Sequence, residues 1–148
     1  MITVLIISTG TGLYLSSKLD KRVKALEEII FKTDEIQTII RCQSAEPEEI
    51  LASVSVGSVL QGCSYTNGNV NISDDELYML DKRDMAIIRE LLNGLGKTDT
   101  DGQISMLEMN KKLLQNRLEQ AREEYSKKGR MYRSVGVLVG VGAAVMLI

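Results

Sequence analysis

The chain predicts an all-α fold, an antiparallel helical bundle in which two long helices run continuously into apolar ends. Three observations point there. A single proline, Pro47, interrupts 148 residues, so few sharp turns are encoded. Apolar residues recur at steps of three and four over most of the interior, the spacing of a helix face. With one phenylalanine, five tyrosines and no tryptophan, the core must rest on Leu, Ile, Val and Met, which pack well between helices.

The first element starts in the uncharged run MITVLIISTGTGLYL. Its apolar stripe continues through Leu19, Val23, Leu26, Ile30, Thr33, Ile36 or Gln37, and Ile40, so one helix is expected from the N-terminus to about Cys42. SAEPEEI ends it and starts the next, with Ser44 as the candidate N-cap, Pro47 in the first turn, and Glu48 and Glu49 at the positive helix end. That second helix is expected from Pro47 to Leu60. Gln61 to Ser73 reads as a polar loop with an Asn67-Gly68 turn signal. Ser73 and the acids Asp74, Asp75 and Glu76 open a helix to about Asn93, with Leu77, Leu80, Met85 or Asp84, Ile87, Ile88, Leu91 and Leu92 as its apolar residues. Gly94 and Gly96 end it. The last helix starts between Thr98 and Asp101 and carries Ile104, Leu107, Leu114, Leu118, Ala121 and Tyr125 into the uncharged run Val135 to Ile148.

The two ends read as membrane anchors, giving three parts: residues 1–16, a cytoplasmic helical domain over 17–133, and residues 134–148. At about 1.5 Å per residue each run reaches only ~21–23 Å, short of a ~30 Å hydrocarbon core. Snorkelling basic side chains would have to help. Lys18, Lys21, Arg22 and Lys24 follow the first run, and Lys127, Lys128, Arg130 and Arg133 precede the second. Both basic clusters lie toward the middle of the chain, so the positive-inside rule puts the middle in the cytoplasm and both termini outside. A secretory signal would carry its charges before the apolar stretch. Buried core helices of a soluble domain are the bland alternative for runs this short. Gly10 and Gly12, and Gly136, Gly140 and Ala144, make small-residue faces on which helices could approach in lipid.

Composition argues against chemistry. The absence of histidine removes the commonest general base and transition-metal ligand. A net charge of -2 is unsuited to nucleic acid. Cys42 and Cys63 have neither zinc nor disulfide spacing, and no phosphate loop or nucleophile elbow is present. No catalytic residue, cofactor or metal is therefore expected. One segment, KTDTDGQISMLE, sets Asp99, Asp101, Gly102 and Glu108 in the register of a calcium loop, but Lys97 occupies the first ligand position.

The same stretch carries a resemblance. LLNGLGKTDTDGQISMLEMNKKLLQNRLEQAREEYSKKGRMYRSVGVLVG resembles the stage III sporulation protein AB family of endospore-forming Firmicutes, in which a helix ends in Leu-Gly, an aspartate-bearing turn follows, and Gln opens a long charged helix into a terminal membrane segment. Leu95, Gly96, Asp99, Gly102 and Gln103 match that pattern. GTGLYLSSKLDKRVKALEEI is similar to the family's opening. The likeness covers roughly the first 45 and last 70 residues; between them, residues 44–73 are shorter than the corresponding helical matter of the family.

The resemblance implies a fold similar to the cytoplasmic domains of the type II secretion inner-membrane platform protein. It implies a place in the mother-cell membrane facing the forespore, in a secretion-like channel complex. It implies as partners a cytoplasmic ATPase, stage III sporulation protein AA, and other membrane subunits. The expected function is a non-enzymatic scaffold, with the turn Leu95, Gly96, Asp99, Asp101, Gly102 and Gln103 as its docking face. A membrane-tethered calcium binder and a self-associating membrane scaffold are the alternatives.

Overall fold

The computed structural model describes residues 2–43, 46–66, 69–72 and 77–147. Side chains are described over 17–43, 46–66, 69–72 and 77–131, and at Ser134, Val135, Leu138 and Gly142. The expected cap Ser44, the Asn67-Gly68 turn and the acidic helix start Ser73 to Glu76 lie outside the described residues. So do the side chain of Arg133 and the packing roles of Gly10, Gly12, Gly136, Gly140 and Ala144.

The chain is mostly helical, with a small sheet that the sequence reading did not anticipate. Helix α1 spans Ile2–Cys42 and α4 spans Thr100–Leu147, 41 and 48 residues respectively. They run antiparallel: Arg22 meets Glu124, Glu27 meets Arg122, Asp34 meets Lys111, and Arg41 meets Glu108. Their facing stripes are Leu26, Ile29, Ile36 and Ile40 against Leu107, Leu114, Leu118 and Ala121, all buried. Burying each such side chain favours folding by about 1.5–3 kcal/mol.

Helix α2 is shorter than expected, Pro47–Ser55. Gly57 then takes a left-handed φ of 67°, which a helix cannot continue through, and a 3-10 turn follows over Val59–Gly62. The Ser58 hydroxyl accepts from the Leu60 amide, and Glu28 of α1 accepts from the Val59 amide at 2.8 Å, tying the turn to the long helix.

The expected loop over Gln61 to Ser73 contains strands β1 (Cys63–Thr66) and β2 (Asn69–Ile72), paired antiparallel with Cys63 opposite Ile72 and Thr66 opposite Asn69. Cys63 and Val70 are buried, while Ser64, Thr66, Asn69 and Asn71 are all exposed, the period-two alternation of a half-buried ribbon. Asn93 clips the hairpin to the next helix by accepting from the Val70 amide at 2.7 Å.

Helix α3 begins at Lys82, not Ser73, and ends at Asn93. Asp81 and Asp84 form a reciprocal capping box there, which satisfies the first free amides and fixes the start. Leu77 and Leu80 are buried ahead of it in non-helical chain.

Past Ala121 the described side chains of α4 leave the core. Tyr125, Met131, Val135 and Leu138 are exposed, the last two at 47% and 71%. Among the described residues no helix is long and apolar enough to cross a membrane, so the continuity of α1 and α4 with the apolar runs is observed and a spanning segment is not.

Leu114→Ala, in the centre of the seam, should cost about 2–5 kcal/mol, and Phe31→Ala on the outer face of α1 should stay within about 0.5 kcal/mol of the parent. Denaturant unfolding of the full chain checks both.

Candidate functional site

Two constructions stand out, one near each end of the buried α1–α4 seam. At the distal end lies the turn from Leu95 to Gln103. Leu95 is fully buried beneath it. Gly96 has a φ of 74°, and a Cβ there would lie 2.4 Å from the Pro47 Cγ, so the turn rests directly on the first residue of α2. Gln103 closes the turn from both sides: its Oε1 accepts from the Gly96 amide at 3.1 Å and its Nε2 donates to the Thr98 carbonyl at 2.9 Å. The Asp99 carboxylate accepts from the Gly102 amide at 3.3 Å, a cap for α4. A Cβ on Gly102 would press on that oxygen at 2.7 Å. Leu95, Gly96, Asp99, Gly102 and Gln103 are thus brought together and each has a role in shaping the turn, while Asp101 is exposed beside them.

This geometry does not make a calcium loop. The helix has already begun at Thr100, Asp99 and Gln103 are engaged with the backbone, and Glu108 pairs with Arg41 at 3.6 Å. Among the described residues no group of three or more acidic or cysteine side chains converges in a way that could hold a metal ion.

At the other end, three helices meet on one carboxylate. Asp84 of α3 is 0% exposed. Arg22 of α1 grips it with Nε at 2.8 Å and Nη2 at 3.3 Å, and Arg117 of α4 donates from Nε at 2.7 Å. The Asp81 amide donates to the same carboxylate at 3.2 Å. Around this centre Arg117 also reaches Asp81 at 2.9 Å and Arg22 reaches Glu124 at 3.4 Å. Burial pushes the Asp84 carboxyl up, but the hydrogen bonds from Arg22, Arg117 and the Asp81 amide outweigh it and hold the acid below its ordinary value. Burial likewise opposes the charge on Arg22, and the Asp84 hydrogen bond and charge more than restore it.

Arg22, one of the basic residues that follow the N-terminal apolar run, is set apart from its neighbours in that cluster. It is 7% exposed and spends its donors on Asp84 and Glu124, so it does not face a headgroup layer. Lys18, Lys21, Lys24, Lys127, Lys128 and Arg130 are exposed. Lys24 pairs with Asp20 and Lys127 with Glu123, each one helical turn away. Sequence reasoning missed the cluster, although a signal was there: Asp84 falls in the apolar series Leu77, Leu80, Ile88 and Leu91, and a carboxylate in such a stripe requires a cation from a neighbouring element.

The family model for stage III sporulation protein AB matches residues 69–148, from β2 through α3, the distal turn and all of α4. The chain belongs to the stage III sporulation protein AB family. It is accordingly a sporulation protein. The matched stretch includes the whole Leu95 to Gln103 turn, Asp84 and Arg117, while Arg22 and the rest of α1 lie outside it. No curated protein and no solved structure matches the chain.

Gly96→Val should strain both the left-handed backbone and the Pro47 contact. A loss of about 1–3 kcal/mol in unfolding free energy is expected, and Gly102→Val should lose about 0.5–2 kcal/mol through the Asp99 cap. Asp84→Ala, which strands two guanidinium groups, should cost about 3–5 kcal/mol. Because the folded acid titrates below its unfolded value of about 3.9, its contribution is complete above that pH and disappears as pH falls through the lowered folded value. Acid unfolding curves of the parent should therefore fall more steeply below about pH 4 than those of Asp84→Asn.

Proposed function

We propose that this sporulation protein is a non-enzymatic membrane platform that docks a cytoplasmic ATPase of the stage III sporulation protein AA kind and joins it to membrane subunits of a secretion-like channel between mother cell and forespore. Family membership supports the sporulation role. The resemblance described above supplies the partner.

The observation that carries the membrane half is the register of the two long helices. Arg22 lies against Glu124 and Asp34 against Lys111, so twelve residues forward on α1 match thirteen back on α4. Carrying that count four residues on brings Lys18, just past the first apolar run, level with Lys128, seven residues before the second. Two cationic clusters at one height, each followed by an apolar helix, suit a domain standing on a bilayer. The exposed Val135 and Leu138 favour lipid or a membrane partner over a buried core helix for that run. Snorkelling of Lys18 would make up part of the length that the first run lacks.

The distal turn is the docking end in this proposal because it lies farthest from the cationic level and is held rigid by Gln103, Asp99 and Pro47. A rigid turn joined to a continuous helix passes a tilt at one end to the other. With both termini outside the membrane, tags at either end should be cleaved by protease added to intact protoplasts of vegetative cells made to express the chain together with the ATPase, where the outer face is accessible, and the detergent-extracted chain should retain the ATPase. Tags cleaved only after lysis would overturn the orientation. Loss of ATPase capture on Gly96→Val, with the fold retained by circular dichroism, is the result expected for the docking end; full capture would move it elsewhere.

A further inference from the structure

The seam between α1 and α4 has little to say about its own register. Leucines and isoleucines recur on both sides at helical spacing, so a slide of one turn, about 5.4 Å, sets aliphatic side chains against aliphatic side chains again. Thr33, buried in the α1 stripe, returns its hydroxyl to the Ile29 carbonyl of its own helix, and beyond it two features break that sameness. Asn110 sits fully buried in the α4 stripe, donating to the Met106 carbonyl at 3.1 Å while its Oδ1 finds no partner among the described residues. Arg22 and Arg117, from the two long helices, must both reach the single carboxylate of Asp84.

The second constraint is the exacting one. Arg22 occupies both oxygens of Asp84 and Arg117 shares one of them, at 2.7–3.3 Å. Asp84 cannot follow a slide, because its own oxygen caps α3 through the Asp81 amide. Moving α1 by a turn against α4 would carry one guanidinium out of reach and leave a buried charge without a counterion.

We propose that the Arg22–Asp84–Arg117 cluster is a register lock, which holds α1 and α4 at one axial setting that the aliphatic seam alone would not select. Buried polar groups fix register in coiled coils in the same way, at some expense of stability. The consequence for function rests on the platform reading: a one-turn slip would separate the cationic levels of the two helices by about 5.4 Å and tilt the domain on its membrane. The lock itself does not need that reading.

Disulfide trapping on the purified full-length chain in detergent tests the lock without ATPase or topology. In a Cys42→Ser background, Asp34→Cys is paired with Lys111→Cys for the observed register, and with Gln115→Cys or Glu108→Cys for slips of about a turn either way. The parent should yield the first product and only background levels of the others. Replacing the cluster by Arg22→Met, Asp84→Leu and Arg117→Met together should leave the thermal midpoint equal to or above the parent's while the slipped products rise to a share comparable with the first. Asp84→Asn, which keeps the shape but removes the charge, should give an intermediate rise and decides the matter if the triple variant does not fold. Slipped products at parental levels in the folded variants would overturn the proposal.

Discussion

Asp84 carries its negative charge out of water at the point where α1, α3 and α4 meet, and the arrangement of those helices follows from keeping it company. An uncompensated buried carboxylate is costly by several kcal/mol, so Arg22 and Arg117 must both be delivered to it, from residues far apart in sequence. The same carboxylate accepts from the Asp81 amide, which makes it the place where α3 begins. A single group thus sets a helix start, closes a three-helix junction and orients the two long elements. Aliphatic burial supplies most of the free energy of the seam, but it is non-directional and could not by itself specify that junction.

The opposite end is organised locally. Gln103, Asp99 and the two glycines close a turn whose hydrogen bonds span only a few residues, and Pro47 packs against it from α2. Residues by which the family can be recognised are therefore residues that make a shape. A turn of this kind is well suited to presentation: its backbone is committed internally, and the side chains of Lys97, Thr98 and Asp101 remain exposed around it.

Between the two ends, α1 and α4 act as struts. Their cross-pairs at Glu27–Arg122, Asp34–Lys111 and Arg41–Glu108 are partly or largely exposed and contribute little energy singly. They run along one side of the pair and agree on one register, the one that the buried cluster requires. Cationic side chains of both helices then fall at a common height, where the described part of α4 has already left the core. A domain organised in this way has a basic end beside the apolar runs and a polar end at the turn.

Helical periodicity, together with the local stop and start signals of Pro47, Gly94, Gly96 and Thr98 to Asp101, made the two long helices, the inner face of α4 as far as Ala121 and the distal turn legible, because these signals lie within a few residues of one another; Tyr125, expected on the same stripe, is exposed. Cys42 as the end of α1, Asn93 as the end of α3 and the start of α4 near Thr100 were all legible for that reason. The hairpin was legible in principle, since its strands alternate and an Asn-Gly pair separates them, but four-residue strands carry a weak signal beside the polar loop they resemble. The start of α3 and the inward turn of Arg22 were decided only in three dimensions. Four acids precede Lys82, at Asp74, Asp75, Glu76 and Asp81, and propensity does not choose among them. Arg22 stands among lysines that share its charge, and nothing within a turn of it says which cation will be buried. Both questions turn on the Asp84 carboxylate, three residues from the Asp81 cap but sixty-two from Arg22, and a charge taken out of water is answered by whatever the tertiary fold brings beside it.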